Sequence, residues 1–99
     1  MVFQVIWSDR AKRELADIAG AIHSDNPMAA ERFVDELIRR VELIGCSPRG
    51  AALHVKRRGF EARQFFHYRY RVFYRARPRM QRVEILSIWH GARREPSLP

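Results

Sequence analysis

The spacing of apolar residues changes once along this chain, from a helical period to a strand period. The first segment, Val2–Trp7, is rich in β-branched and aromatic residues and reads as a strand. Ser8 is placed to cap a helix, with Asp9 supplying negative charge to its first turn. Ala11, Leu15, Ile18 and Ile22 follow at helical spacing, while Lys12, Arg13, Glu14 and Asp17 form the opposite face. Ser24-Asp25-Asn26-Pro27 breaks the helix, and Asn26 and Pro27 suit the cap and first position of a second one. There Ala30, Phe33, Val34, Leu37, Ile38, Val41 and Ile44 make a wide apolar stripe. So short a join predicts an antiparallel helical hairpin.

Gly45 to Gly50 is a turn-rich exit, Leu53–Arg58 is short and strongly basic, and Gly59 punctuates the chain. Three strand candidates come next: Phe60–Phe66, Tyr68–Arg75 and Arg82–His90. In the middle one Tyr68, Tyr70, Val72 and Tyr74 alternate with Arg69, Arg71, Phe73 and Arg75, so one face is aromatic and the other mostly Arg. Arg77-Pro78-Arg79-Met80 suits a hairpin connection. The third candidate is apolar at both parities, as a central strand covered on both sides would be. The expected fold is α+β: an N-terminal strand and an antiparallel two-helix hairpin packed on one face of a mainly antiparallel sheet of three or four strands. The other face is expected to carry the Arg residues. Residues 1–99 are expected to form one domain, with 91–99 an irregular tail.

Charge adds an asymmetry that the pattern alone does not show. Residues 1–48 hold 6 Lys/Arg and 8 Asp/Glu, whereas residues 49–99 hold 13 and 3, and the net charge is +8. Of the 19 basic residues 17 are Arg, the side chain suited to bidentate contact with phosphate or carboxylate. A basic sheet on a near-neutral helical base points to an anionic partner.

Other chemistries find little support. His23, His54, His67 and His90 are scattered without ligand spacing, so no metal site is expected. No strained nucleophile turn and no phosphate-cradling Gly loop is present, and no cofactor is implied. No apolar run approaches the roughly 18 residues that span a bilayer. Met1 to Trp7 lacks the basic and long apolar regions expected of a signal peptide. The lone Cys46 suits a reducing, cytoplasmic setting and is expected to be a small buried or half-buried residue.

The candidate binding set is Lys56, Arg57, Arg58, Arg63, Arg69, Arg71, Arg75, Arg93 and Arg94. Gathered on one sheet face, these could hold an RNA backbone and stabilise charge on a scissile phosphate. His67, Tyr70 and His90 are available for acid–base work, and the interleaved aromatics for base stacking. A solvated face that binds nothing, and a groove for an acidic segment that folds on binding, remain the alternatives.

Four stretches resemble the RelE/ParE superfamily of plasmid-stabilisation and toxin–antitoxin proteins. They are Val5-Ile6-Trp7-Ser8-Asp9-Arg10-Ala11, Asp25-Asn26-Pro27-Met28-Ala29-Ala30-Glu31-Arg32-Phe33, Arg63-Gln64-Phe65 with Tyr70-Arg71-Val72-Phe73-Tyr74-Arg75, and Val83-Glu84-Ile85-Leu86 with His90-Gly91-Ala92-Arg93. The resemblance runs from about residue 3 to 95 and implies the toxin of a two-protein pair. ParE-like members poison DNA gyrase; RelE-like members cut mRNA in the ribosomal A site. The second helix and the His90-to-Arg93 exit look ParE-like. Arg71 and Arg93 match functional Arg positions of the RelE branch, which with His90 would form its catalytic set here. That branch would make the protein a metal-independent endoribonuclease. However, Arg94 to Pro99 offers no terminal Tyr, and Ala62 and Gln64 fall where that branch has lysines. The ParE-like reading is therefore preferred, with a non-toxic basic binding module as a further alternative. The expected partner is a small antitoxin with an acidic, partly disordered segment lying on Leu15, Ile22, Phe33 and Leu37.

Overall fold

The computed structural model describes residues 2–92. Strand β1 (Gln4–Trp7) leads into helix α1 (Asp9–Asp25) and helix α2 (Pro27–Cys46). Strands β2 (Ala52–Arg57), β3 (Phe60–His67) and β4 (Tyr70–Arg77) follow. A 3₁₀ turn (Pro78–Met80) then leads to β5 (Arg82–His90). The sheet order is β1-β5-β4-β3-β2, antiparallel except for the β1–β5 pair. Four antiparallel strands meet the upper end of the expectation, and β1 adds a parallel edge.

Local chemistry explains the helix boundaries. The Ser8 hydroxyl accepts the Ala11 N–H at 3.0 Å and donates to the Leu86 carbonyl at 2.9 Å, so one residue caps α1 and ties it to β5. Asn26 serves both helices: its N–H donates to the Ile22 carbonyl at 2.8 Å, and its Oδ1 accepts the Ala29 N–H at 3.1 Å. The break is thus a single residue, shorter than the four-residue break the sequence suggests. At the end of α2 the Gly45 carbonyl accepts the Phe3 N–H at 2.9 Å. A Cβ on Gly45 would lie 2.9 Å from the Phe3 carbonyl oxygen, so this docking needs glycine. Cys46 ends α2 and is exposed, not buried, because it falls on the helix face turned away from the sheet.

Helix-facing residues of the sheet form the main core. Val72, Tyr74, Val83, Ile85 and Ile88 pack with Ala11, Phe33, Leu37 and Val41. In β5 a bulge adds Leu86, since Tyr74 pairs with Ile85 but Phe73 pairs with Ser87. The bulge keeps both Ile85 and Ile88 in the helix-side core. Glu14 of α1 satisfies the polar groups it exposes: one carboxylate oxygen accepts the Ser87 hydroxyl and the Ile88 N–H, each at 2.9 Å.

The opposite face is not a plain Arg surface. Phe60, Ala62, Phe73 and Leu86, with Val55 and Trp89 against them, form a second apolar cluster. Guanidiniums lie over it.

Candidate functional site: a basic cleft at one end of the sheet

Gly59, at a φ of +76°, turns β2 back into β3, a backbone conformation that favours glycine. Beside that turn, β4 runs out through Arg77 into the 3₁₀ turn. Between the two lies an open concavity of about 800 Å³. Lys56, Arg57 and Arg58 line one side and Arg75, Arg77 and Arg79 the other. Phe60 forms the floor, nearly buried, with the guanidiniums of Arg57 and Arg75 at 4.7 and 4.9 Å from its ring centre. These stacks hold two cations in place over an apolar base.

Two carboxylates neighbour this group. Glu84 lies 3.9 Å from Arg75, 3.6 Å from Arg77 and 3.8 Å from Arg82, so one anion serves three cations. Glu61 is held by Arg63 at 2.7 Å. Among the described residues lining the cleft, cations therefore outnumber carboxylates. Arg77, Arg79 and the Glu84 group were not singled out from the sequence; the Arg77-Pro78-Arg79 spacing is the signal that marks them.

The remaining candidates do not join this cleft. Arg63 lies on the helix-side parity of β3 and donates to the Ala51 carbonyl at 2.9 Å. Arg69 is exposed in the β3–β4 turn, at the opposite end of the sheet. Arg71 is nearly buried on the outer face, its guanidinium 5.3 Å from the Phe73 ring centre. Four residues along β4 put it roughly 13 Å from Arg75. Arg93 and Arg94, and most of the expected 91–99 tail, lie outside the described residues. The expectation of one Arg-bearing face is thus corrected: strand parity and the turn at Tyr68-Arg69 distribute these side chains over two faces and two ends.

The acid–base candidates are placed differently again. Arg71 pairs with Trp89, and the adjacent Tyr70 pairs with His90. Tyr70 packs against Phe33 of α2, so Tyr70 and His90 are on the helix side while Arg71 is on the outer side. His90 Nδ1 accepts the Ala92 N–H at 3.1 Å. His67 is buried: its Nε2–H donates to the Phe33 carbonyl at 2.9 Å, and Nδ1 faces Arg40 at 3.4 Å. Burial lowers its pKa from 6.5, which favours the neutral ring that this pairing needs. Tyr68 has a φ of +55°, rare for a bulky residue, and its hydroxyl donates to Glu36. That hydrogen bond raises the Tyr68 pKa.

Of the expected antitoxin contacts, Leu15 and Ile22 are half-buried. Phe33 and Leu37 are core residues, and Leu37 is completely enclosed, so those two are corrected to structural positions. The large apolar side chains that α2 does expose are Met28, Ile38 and Leu43. Among the described residues no group of His, Cys, Asp or Glu could hold a metal ion. No helix among them is long and apolar enough to cross a membrane.

The model of the ParE toxin of the type II toxin–antitoxin system parDE matches residues 5–95. The chain belongs to the ParE toxin family. Two solved structures share its fold. The chromosomal ParDE toxin–antitoxin system of P. aeruginosa matches at a TM-score of 0.72 and 17% identity, over 90% of this chain and 96% of that one. The toxin–antitoxin complex RelBE2 of Mycobacterium tuberculosis matches at 0.58 and 20%, over 91% and 99%. Among curated proteins none matches in sequence. The four sequence stretches that resemble this superfamily thus fall in a ParE toxin, and its helical hairpin and sheet are those of the ParDE and RelBE2 structures.

Proposed function

We propose that this ParE-family toxin acts by binding DNA gyrase in the cytoplasm, not by cutting RNA. The observation that carries the reading is the division between Arg71 and His90. They occupy neighbouring rungs of the β4–β5 ladder but opposite faces of the sheet. A reacting phosphate on either face meets one of the two, and Arg71 is nearly closed to solvent. A general acid and a charge-stabilising cation must both reach the same phosphate. Family membership supports the gyrase target.

The neutralising partner in this reading is a small antitoxin. Its apolar anchors would meet Met28, Ile38 and Leu43 on α2 and the half-buried Leu15 and Ile22 on α1. Its acidic residues would pair with exposed Arg residues of the helices, such as Arg32 and Arg39, so only part of the affinity should be salt-sensitive.

Purified toxin added to gyrase should inhibit supercoiling, and the antitoxin should reverse this. Programmed ribosomes carrying mRNA should show no toxin-dependent cleavage. Codon-positioned cuts with normal supercoiling would place the protein in the nuclease branch. If neither occurs and cells tolerate the chain without any antitoxin, it is a binding module that has lost toxicity.

A further inference from the structure

We propose that the basic cleft between the β2–β3 turn and the 3₁₀ turn is a binding site for the sugar–phosphate backbone of DNA. Such a site is independent of the gyrase reading, because it concerns what this chain itself touches. Three features carry it.

The first is charge on two walls. Lys56, Arg57 and Arg58 face Arg75, Arg77 and Arg79 across an open concavity of about 800 Å³. Among the described residues Glu61 is the acidic one in its lining, and Arg63 already holds it at 2.7 Å. Glu84, shared by Arg75, Arg77 and Arg82, offsets one charge of three. Cations opposed across a gap suit a charged strand that runs between them.

The second is preorganisation. Arg57 and Arg75 are held over Phe60 by ring contacts at 4.7 and 4.9 Å. Their guanidiniums lose less freedom on meeting a phosphate than a free side chain would.

The third is what the cleft lacks for a protein ligand. An acidic segment that folds on binding draws its affinity from buried apolar anchors as well as charge. Phe60 is nearly buried beneath its two guanidiniums. The exposed apolar residues of α2 lie across the sheet from this cluster, and Met80, exposed at the end of the bordering 3₁₀ turn, is not part of the cleft lining. A phosphate backbone needs charge and hydrogen-bond donors and no apolar pocket. The cleft therefore fits a nucleic-acid backbone, here assigned to DNA, better than it fits an acidic peptide.

The test is fluorescence anisotropy of the antitoxin-free protein with a labelled mixed-sequence DNA duplex, over a salt series. Lys56→Gln, Arg58→Gln and Arg79→Gln are combined in one variant, because all three side chains are exposed. A control variant combines Lys12→Gln, Arg13→Gln and Arg39→Gln, exposed cations on the helices. The cleft variant should bind DNA on the order of 10- to 100-fold more weakly near 0.1 M salt. Its log–log salt slope should fall by about 2–3, at roughly 0.9 for each phosphate that is no longer neutralised. The control should match the unmodified protein, and circular dichroism should show both folded. Equal weakening in the two variants would mean a diffuse field instead of a site and would overturn the proposal. So would a wild-type slope in the cleft variant. A polyglutamate peptide of matched charge is the competitor. If it binds the cleft as tightly as the duplex does, the site is for an acidic peptide and the DNA assignment is wrong.

Discussion

The two faces of this sheet are built on different principles. On the helix side, Tyr74, Ile85, Val83 and Leu37 are fully enclosed, and hydrogen bonds from α1 and its cap close the polar gaps at the β5 bulge. On the outer side, among the described residues, a smaller cluster around Phe73 has no layer of secondary structure over it. Its roof is made of side chains: Arg57 and Arg75 over Phe60, and Arg71 and His54 beside Phe73. Long guanidinium side chains cover apolar surface while keeping charge near water. The helix side thus supplies rigidity, and the outer side supplies a charged surface on a fixed base. A protein that must present cations to a partner can do so without placing charge in its core.

The most severe way to break this comparison is to cut into each cluster. Leu37→Ala removes a completely buried side chain between α2 and the sheet. It should cost about 3–4 kcal/mol, within the range of buried Leu→Ala changes that leave a cavity. Leu86→Ala on the outer face should cost about half as much, since its cluster is smaller and is covered by side chains that can shift into the gap. Urea unfolding of both variants measures the difference. Equal losses would mean that the outer cluster is as rigid a core as the inner one.

Carboxylates sharpen the contrast at intermediate size. Glu14→Ala leaves the Ile88 N–H and the Ser87 hydroxyl without their acceptor and should cost about 1–3 kcal/mol. Glu84→Ala on the outer side removes three long ion pairs of 3.6 to 3.9 Å and should cost about 1 kcal/mol or less. The Glu84 effect should shrink in about 0.5 M salt, and the Glu14 effect should persist, because a partly buried hydrogen bond is little screened. Reversal of that order, read from thermal unfolding in both salts, would contradict the assignment of structural work to α1.

Burial around His67 gives a smaller, pH-dependent difference. Its folded pKa lies below the ordinary 6.5, chiefly because burial disfavours the charged ring. The unfolded chain therefore binds a proton more readily than the folded one. Stability contributed by the neutral ring is fully present above about pH 6.5 and is lost as pH falls from there toward the folded pKa. His67→Asn should flatten that part of the curve between pH 7.5 and 5, whereas His23→Asn, at an exposed position of α1, should leave it in place. A His67→Asn curve that keeps its full slope would assign the dependence to other groups.

These contrasts also mark what the sequence made legible. Period and capping residues located the helices and β5, because those signals are local: Ser8, Asn26 and Pro27 act within a turn of themselves. The apolar residues at both parities of Val83 to Trp89 correctly indicated a strand covered on both sides. The β3–β4 turn was hidden, because Tyr68 continues the aromatic alternation while adopting a positive φ. That conformation is held by Glu36 and by ring contacts with Phe33 and His67; Glu36 and Phe33 are remote in sequence. Arg63 and Arg75 look alike in the sequence and lie on opposite faces, because register is fixed by pairing across strands. An amphipathic stripe likewise does not separate Leu37, which the sheet covers, from Ile38, which it leaves exposed.

The smallest expected effect is at Arg71, and it bears directly on how the toxin acts. The superfamily resemblance implies a functional Arg at Arg71, yet Arg71 lies nearly buried beside Phe73, on the face away from His90. If its role is to cover the outer cluster, an apolar side chain of similar length should replace it. Arg71→Met keeps that cover and removes the guanidinium. Its toxicity in cells, at matched expression and without antitoxin, should fall by less than about fivefold, which corresponds to a contribution of roughly 1 kcal/mol or less. A transition-state role predicts a much larger loss, on the order of 10²–10³ in rate, because a preorganised charge-stabilising donor would be gone. Arg71→Lys then separates charge from shape. Under the covering role, Met and Lys should be tolerated about equally, because each keeps an unbranched apolar stem over Phe73. Rescue by Lys together with failure of Met would assign Arg71 to the reaction and return the protein to the nuclease reading.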